Sequence, residues 1–202
     1  MMMEKEFVSL NPGTLLAPVP AVMVSCQRPG EKPNSITLAW VGTICSDPPM
    51  CSISVRKERY SHDIIQETGE FIINLCGEEN LKATDFCGVK SGRDVDKFAA
   101  CGLDPLPVED YTAPAIAQCP IYLACKVQSV QELGSHDLYL GRITKVGVRK
   151  DLMDETGRID YNRAHLVAYN HGAYYRLGEA LGFFGYSVAA PDVLERRMKQ
   201  LK

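Results

Sequence analysis

The sequence lacks most of the features that would assign it at a glance. No Gly-x-Gly-x-x-Gly turn occurs, so the phosphate-binding signature of a doubly wound dinucleotide fold is missing. No Cys-x-x-Cys occurs either, although the chain has 8 cysteines, at 26, 45, 51, 76, 87, 101, 119 and 125. Zinc and iron–sulfur readings lose their support with that spacing. Several cysteines lie inside apolar, strand-like runs, and most are read as small buried hydrophobes in a reducing compartment, the cytoplasm. The longest apolar stretches, such as Ala21–Cys26 and Phe71–Cys76, fall far short of the ~20 residues a membrane-crossing helix needs. The start, Met-Met-Met-Glu-Lys-Glu, has no basic region leading into an apolar core, so no secretory leader is expected. An excess of positive charge is absent as well. Lys and Arg number 22 against 25 Asp and Glu, a net charge of −3, which gives no field for holding nucleic acid. Any phosphate must be caught locally, by a few aimed groups.

What is present is ordinary globular composition: 202 residues, 46% hydrophobic and 23% charged. A chain of that length buries roughly 70% of its unfolded surface and needs no disulfide or metal to be stable. No repeat, low-complexity tract or linker interrupts it, so residues 1–202 are read as one domain. The first half carries short β-rich runs, Ala21–Gln27, Ser35–Gly42, Met50–Val55 and Glu70–Leu75, divided by Pro- and Gly-bearing turn clusters. In Cys51–Val55 the apolar side chains Cys51, Ile53 and Val55 alternate with Ser52 and Ser54, the period of a half-buried strand. Tyr60–Thr68 reads as a short helix, with Ser61 as N-cap and Gly69 as stop. Glu78–Ala100 reads as helical and polar, interrupted at Cys87–Arg93. Ile121–Leu133 and His136–Arg149 form a long hairpin about Gly134-Ser135. His165–Tyr169 is a further strand, and a closing helix runs over about 192–202, where Leu194, Met198 and Leu201 share a face. Many short antiparallel strands with few helices indicate a mainly β fold, an antiparallel Greek-key barrel that is closed or nearly so, with helices added.

Four segments carry candidate chemistry. Asn34-Ser-Ile-Thr-Leu-Ala-Trp40 sets small polar side chains at the head of a strand and an indole at its end; they suit a phosphate, a sugar-like chain and an aromatic ring, or equally a turn and a core tryptophan. Ser52-Ile-Ser-Val-Arg-Lys-Glu-Arg-Tyr-Ser-His62 runs from strand through a cationic loop to a helix start. It is either an anion site with Arg56 as a donor fork or a solvated loop before a capped helix. In Asp85–Phe98, Gly88 and Gly92 allow close backbone approach, and Lys97 is a site cation or the partner of Asp94 or Asp96. Gly134-Ser-His-Asp137 opens a long strand with His136 as a donor, an acid–base group or a hairpin cap. The pairs His62-Asp63 and His136-Asp137 raise a metal-dependent hydrolase, but no spacing supplies three or four ligands on one element, so no metal is expected.

Taken in order, these segments resemble the flavin reductase-like family of FMN-binding split barrels, and within it the flavoredoxin branch. The match begins at Pro18-Val-Pro-Ala-Val and passes through Asn34–Trp40, Ser46-Asp-Pro-Pro49, Ser54-Val-Arg-Lys, Tyr60-Ser61 and Gly69–Asn74. It continues through Ser91–Phe98 and Gly134–Asp137 to Tyr174-Tyr-Arg-Leu-Gly178. The resemblance implies a homodimer with FMN near the subunit interface. By position it implies Asn34, Trp40, Ser61, Lys97, His136 and Tyr169 as flavin contacts, with Ser35, Thr37, Ser54 and Arg56 near the phosphate and ribityl chain. Where the family often has threonine, this chain has Ser61, which keeps the hydroxyl.

The function so implied is electron transfer through bound flavin, with no covalent nucleophile, no obligatory side-chain acid and hence no catalytic side chain assigned. Lys97 would favour an anionic reduced ring. A flavoredoxin-like protein would hold FMN tightly and exchange electrons with a redox partner protein. A flavin reductase would instead oxidise NADH or NADPH and release reduced flavin. No nicotinamide-binding motif is recognisable, which favours the first. A protein that binds flavin without redox turnover is the third reading.

Overall fold

The computed structural model describes residues 6–201. The strands are β1 (Val19–Pro20), β2 (Val22–Cys26), β3 (Asn34–Leu38), β4 (Val41–Ser46) and β5 (Pro49–Arg56). After helix α1 (Tyr60–Thr68) come β6 (Glu70–Leu75) and the helices α2 (Leu81–Val89) and α3 (Lys97–Cys101). Then follow β7 (Pro105–Leu106), β8 (Ala115–Ile116), β9 (Ile121–Glu132), β10 (His136–Val148), β11 (Val167–Asn170), β12 (Ala173–Arg176) and α4 (Pro191–Gln200).

Seven strands form one antiparallel sheet in the order β3-β2-β6-β9-β10-β5-β4. Strands β6, β9 and β10 are neighbours in succession, and β5 lies against β10 by a long crossing through α1, the connection of a Greek key. The sheet coils without closing: β3 and β4 remain its edges, although β3 packs near β5. The fold is mainly β, antiparallel and Greek-key, as the sequence indicates, and the barrel is split, with no pairing between the edge strands β3 and β4. A second sheet, β1-β11-β12, and the small pair β7-β8 complete it.

The expected strand over Ser35–Gly42 is two strands. Leu38 is the last residue of β3 to pair with β2, through Val22, and Val41 the first of β4 to pair with β5, through Ile53. Between them the chain changes partners, and the Ser54 N–H donates to the Trp40 carbonyl at 3.0 Å. Trp40, expected at the end of a strand, sits at this corner just past the end of β3.

Strand β2 is buried along its whole length because both faces are covered. Val22, Val24 and Cys26 pack inside the coil with Ile53, Val55, Phe71 and Tyr139. Met23 packs outward under the helices with Cys87, Phe98 and Val167. Cys51, Ile53 and Val55 are buried while Ser52 and Ser54 are half-buried, as their alternation requires. All eight cysteines are free thiols and six are buried. Helix α1 has the expected bounds, and Gly69 ends it at φ 66°, its N–H donating to the Ile65 carbonyl. The closing helix begins at Pro191 and ends at Gln200.

Candidate functional site

Helix α1 starts differently from expectation. Arg59, not Ser61, is its N-cap, and no side chain caps the helix. Ser61 lies within the first turn, buried, where its hydroxyl accepts a 2.8 Å hydrogen bond from Asn34 Nδ2. The first amides of α1 therefore have no side-chain acceptor, and together with the helix dipole they favour an anion.

Those amides border a cavity of about 100 Å³ lined by Asn34, Arg59, Ser61, Lys90, Gly92 and Lys97 among others. Arg93 ties the 91–94 turn over the head of α1, donating to the Glu58 carbonyl at 3.1 Å and to Asp63 at 2.9 Å. It also lies over the Tyr60 ring, 5.1 Å from its centroid. Gly92 has no room for a side chain: a Cβ there would fall 2.1 Å from Asn34 Oδ1.

Lys97 is almost completely buried, and its ammonium donates to the carbonyls of Ser35 at 2.7 Å and Cys87 at 2.8 Å. An ammonium has three protons, so one remains for a ligand in the cavity. Burial pushes this lysine below its ordinary value. The ion pair with Asp94 or Asp96 is not made: Asp96 caps α3 through the Ala99 N–H and pairs with Lys32 at 3.0 Å.

A second cavity, of about 150 Å³, is lined by Thr37, Trp40, Ser54, Arg56 and His136. It meets the first at Ile36 and Arg59, so the two form a continuous groove along β3. Trp40 is 46% exposed, and its ring lies 4.7 Å from the His136 ring at a 39° tilt. Burial, with Arg56 nearby, holds His136 below its usual value, so at neutral pH the ring is an uncharged donor and acceptor. Next to it, Asp137 accepts from His62 Nε2 at 2.8 Å, which fastens the start of β10 to α1. Asp137 Oδ1 lacks a hydrogen bond and has the Lys57 ammonium at 3.4 Å as its ionic contact. Thr37 Oγ1 donates to the Thr84 carbonyl, and Arg56 contacts Glu58 at 3.4 Å.

Eight of the ten residues named from the sequence thus line one groove: Asn34, Thr37, Trp40, Ser54, Arg56, Ser61, Lys97 and His136. Ser35 and Tyr169 do not. On β3 the Ser35 side chain shares the helix-covered face of the strand with Thr37 but lies deeper, fully buried and without a hydrogen-bond partner, while its carbonyl anchors Lys97. Tyr169 pairs with β1 in the smaller sheet and packs against Tyr174 at 5.4 Å, outside both cavities. Gly92, expected to let a ligand approach the backbone, does line the cavity, whereas sequence reasoning missed Arg59, Lys90 and Ser91 as lining residues. Both cations lie in the segments singled out for chemistry; placing the helix start at Arg59 would have brought the first to notice.

The groove combines an uncapped helix end and cations at one end with an exposed indole at the other. That arrangement suits a planar ligand carrying an anionic tail.

The family model of the flavin reductase like domain matches residues 15–178. Among solved structures, flavoredoxin of Desulfovibrio vulgaris (Miyazaki F) is similar at a TM-score of 0.84 and 31% identity, covering 91% of this chain and 99% of that one. An uncharacterized protein of Archaeoglobus fulgidus is 32% identical over 116 residues, 57% of this chain, and the match spans 66% of that protein's length. The reductase component of a 4-nitrophenol monooxygenase from Rhodococcus opacus is 25% identical over 141 residues, 69% of this chain and 70% of that protein.

Proposed function

Since the chain belongs to the flavin reductase-like family, its role is flavin-linked redox chemistry, and we propose that it holds FMN along β3 and passes electrons through it as a flavoredoxin-like protein. The observation that carries this reading is the joining of eight residues from four separate segments into one groove with an anion-binding end and an aromatic end.

These residues fit FMN. The free amides of α1, with Arg59 and Lys90, would take the phosphate. Ser61 retains its hydroxyl proton after accepting from Asn34, so it can donate to the ribityl chain or phosphate. Trp40 and the neutral His136 would flank the ring at the open end of the groove. Lys97 would direct its third N–H and its charge at whichever ligand atom gains negative charge on reduction. FMN, when bound, supplies a ring that takes up and releases one or two electrons. The protein positions that ring, balances its charge and excludes water from one side.

Similarity to the Desulfovibrio flavoredoxin over nearly its whole length supports tight binding and exchange with a redox partner protein. The likeness to a monooxygenase reductase component supports a second reading, in which NADH or NADPH reduces flavin that then leaves. Eight free thiols suit the reducing cytoplasm, and among the described residues no helix is long and apolar enough to cross a membrane.

The visible spectrum of purified protein, before and after anaerobic addition of NADH or NADPH, tests the proposal. The expected result is a flavin spectrum that survives desalting and bleaches slowly with either nucleotide. Rapid bleaching with flavin lost to the filtrate favours the reductase. Colourless protein that takes up no added FMN rules out both.

A further inference from the structure

A second concave region lies away from the β3 groove, between the end of β12, α4 and the turn before β11. That turn, Asn162–Ala164, ends at His165 with φ 45° and ψ 42°, left-handed backbone that few residues other than glycine adopt, histidine more often than most. Neighbouring groups hold it there. The Glu78 N–H donates to the His165 carbonyl at 3.0 Å, and the Val167 N–H to the Cys76 carbonyl at 3.2 Å. Gly77 passes beneath, where a Cβ would lie 2.9 Å from the Ala164 carbonyl oxygen. The backbone is thus fixed from three sides, with Ala164 buried and Arg163 and His165 on the surface.

Both exposed side chains line a cavity of about 460 Å³. The other charges in it are already matched. Arg176 forks onto Glu78 at 2.6 and 2.5 Å, and Arg149 bonds Glu79 at 2.8 Å and Asp151 at 3.0 Å. The Arg163 guanidinium and the His165 imidazole make no side-chain hydrogen bond or ion pair with the described residues. They are the donors left over. At His165, Glu78 and Arg176 this cavity meets a second of about 720 Å³, whose walls are mostly the aliphatic Leu166, Leu177, Ala180, Met198 and Leu201, with Tyr161, Asn162 and the Glu179 carboxylate at its rim. Directed donors at one end and an aliphatic wall at the other do not suit a free inorganic anion or a hydrocarbon. They suit a molecule with both parts.

We propose that this cleft binds a small organic carboxylate with an apolar body. Arg163 takes the carboxylate in its planar fork, His165 adds a second N–H, and the apolar body lies along Leu177, Met198 and Leu201. The site shares no lining residue with the β3 groove, so it stands or falls apart from flavin binding.

Octanoate is the probe, titrated by calorimetry into protein equilibrated with excess FMN and, in parallel, without it. One saturable site is expected in both, with acetate (head alone) and 1-octanol (body alone) at least about tenfold weaker. Arg163→Gln should weaken octanoate about tenfold and Arg163→Lys should recover part of that loss. His165→Asn, which tolerates the left-handed backbone, should weaken it by a smaller factor. The flavin spectrum should be the same in all three variants. Absence of saturable binding, octanol binding as tightly as octanoate, an unaffected Arg163→Gln variant, or loss of the octanoate site when FMN is added would each overturn the assignment.

Discussion

At the scale of single residues, Lys97 differs from the other cations among the described residues in being buried and bonded only to carbonyls. Its charge is therefore unbalanced by any carboxylate, and an anionic ligand would supply the balance. Lys97→Met should weaken FMN by about tenfold or more, the usual effect of removing a charged hydrogen-bond donor. It should also lower the reduction potential of the bound flavin. The pH dependence has a definite sign. The unfolded chain keeps this proton up to about 10.5, and the folded protein releases it at a lower pH because burial disfavours the ammonium. Between those two values the unfolded state holds more protons, so the ligand-free protein gains stability as pH rises. FMN affinity runs the other way: it is greatest while Lys97 is protonated and falls as pH rises through the folded value. Fluorescence titration of FMN at neutral and alkaline pH checks this. The fall should be smaller in Lys97→Met, and an equal fall would remove Lys97 from the site.

The site was more legible than individual roles. Lys97 could be found because it follows Gly92 in a segment rich in turn residues, yet its two carbonyl partners belong to β3 and α2, which no local pattern joins. Ser61 illustrates the converse. A serine ahead of an apolar run signals an N-cap, but the hydroxyl goes to Asn34, 27 positions away, and the helix start moves to Arg59. Tertiary partners decide between capping and bridging; the local sequence permits both.

At the scale of elements, strand β6 organises the far side of the sheet through two buried polar residues. Asn74 donates to the Met23 carbonyl at 3.0 Å and to Ser25 Oγ at 3.0 Å, and its oxygen accepts from the Ile116 N–H at 2.8 Å. Glu70 accepts from the N–H groups of Thr112 and Ala113 at 2.7 and 3.0 Å and from Lys126 at 2.5 Å. Between them they fasten the largely irregular chain from residue 105 to 116 onto the sheet. Asn74→Ala would orphan several buried groups at once and should cost roughly 2–4 kcal/mol in urea unfolding. A loss below about 0.5 kcal/mol, the range of a neutral surface change, would mean that water replaces these bonds. Strand β6 itself was plain in the sequence as the apolar run Glu70–Leu75, because both of its faces are covered. The two-residue strands β1, β7 and β8 were not, being too short for any periodicity. The sheet order also escaped local reading. Hairpins such as β9–β10 show in their turns, whereas β5 beside β10 is a pairing at long range.

At the scale of the whole molecule, two irregular segments carry apolar side chains that a single copy leaves in water. Before β1, Phe7 is 97% and Leu16 83% exposed; after β12, Leu181 is 91% and Phe184 fully exposed. Isolated surface leucines are unremarkable, but runs of large apolar residues on segments without regular structure need a surface to lie on. The net charge of −3 offers little repulsion between copies, and Trp40 in the groove wall and Ile44 on the edge strand β4, each 46% exposed, add apolar surface. These features support the homodimer that the family resemblance implies, with the segments of one copy lying on the other. Light scattering during gel filtration should give about twice the 22.3 kDa of one chain at micromolar concentration. Replacing Leu181 and Phe184 together by serine should shift the population toward single chains by removing apolar area from the interface. FMN retention read on the same fractions then separates two arrangements. Loss of flavin along with the dimer means that the second copy completes the groove, and flavin kept by single chains means that β3, α1 and Lys97 suffice. A wild-type protein that elutes as one chain at these concentrations leaves the exposed segments without their proposed partner and overturns the dimer.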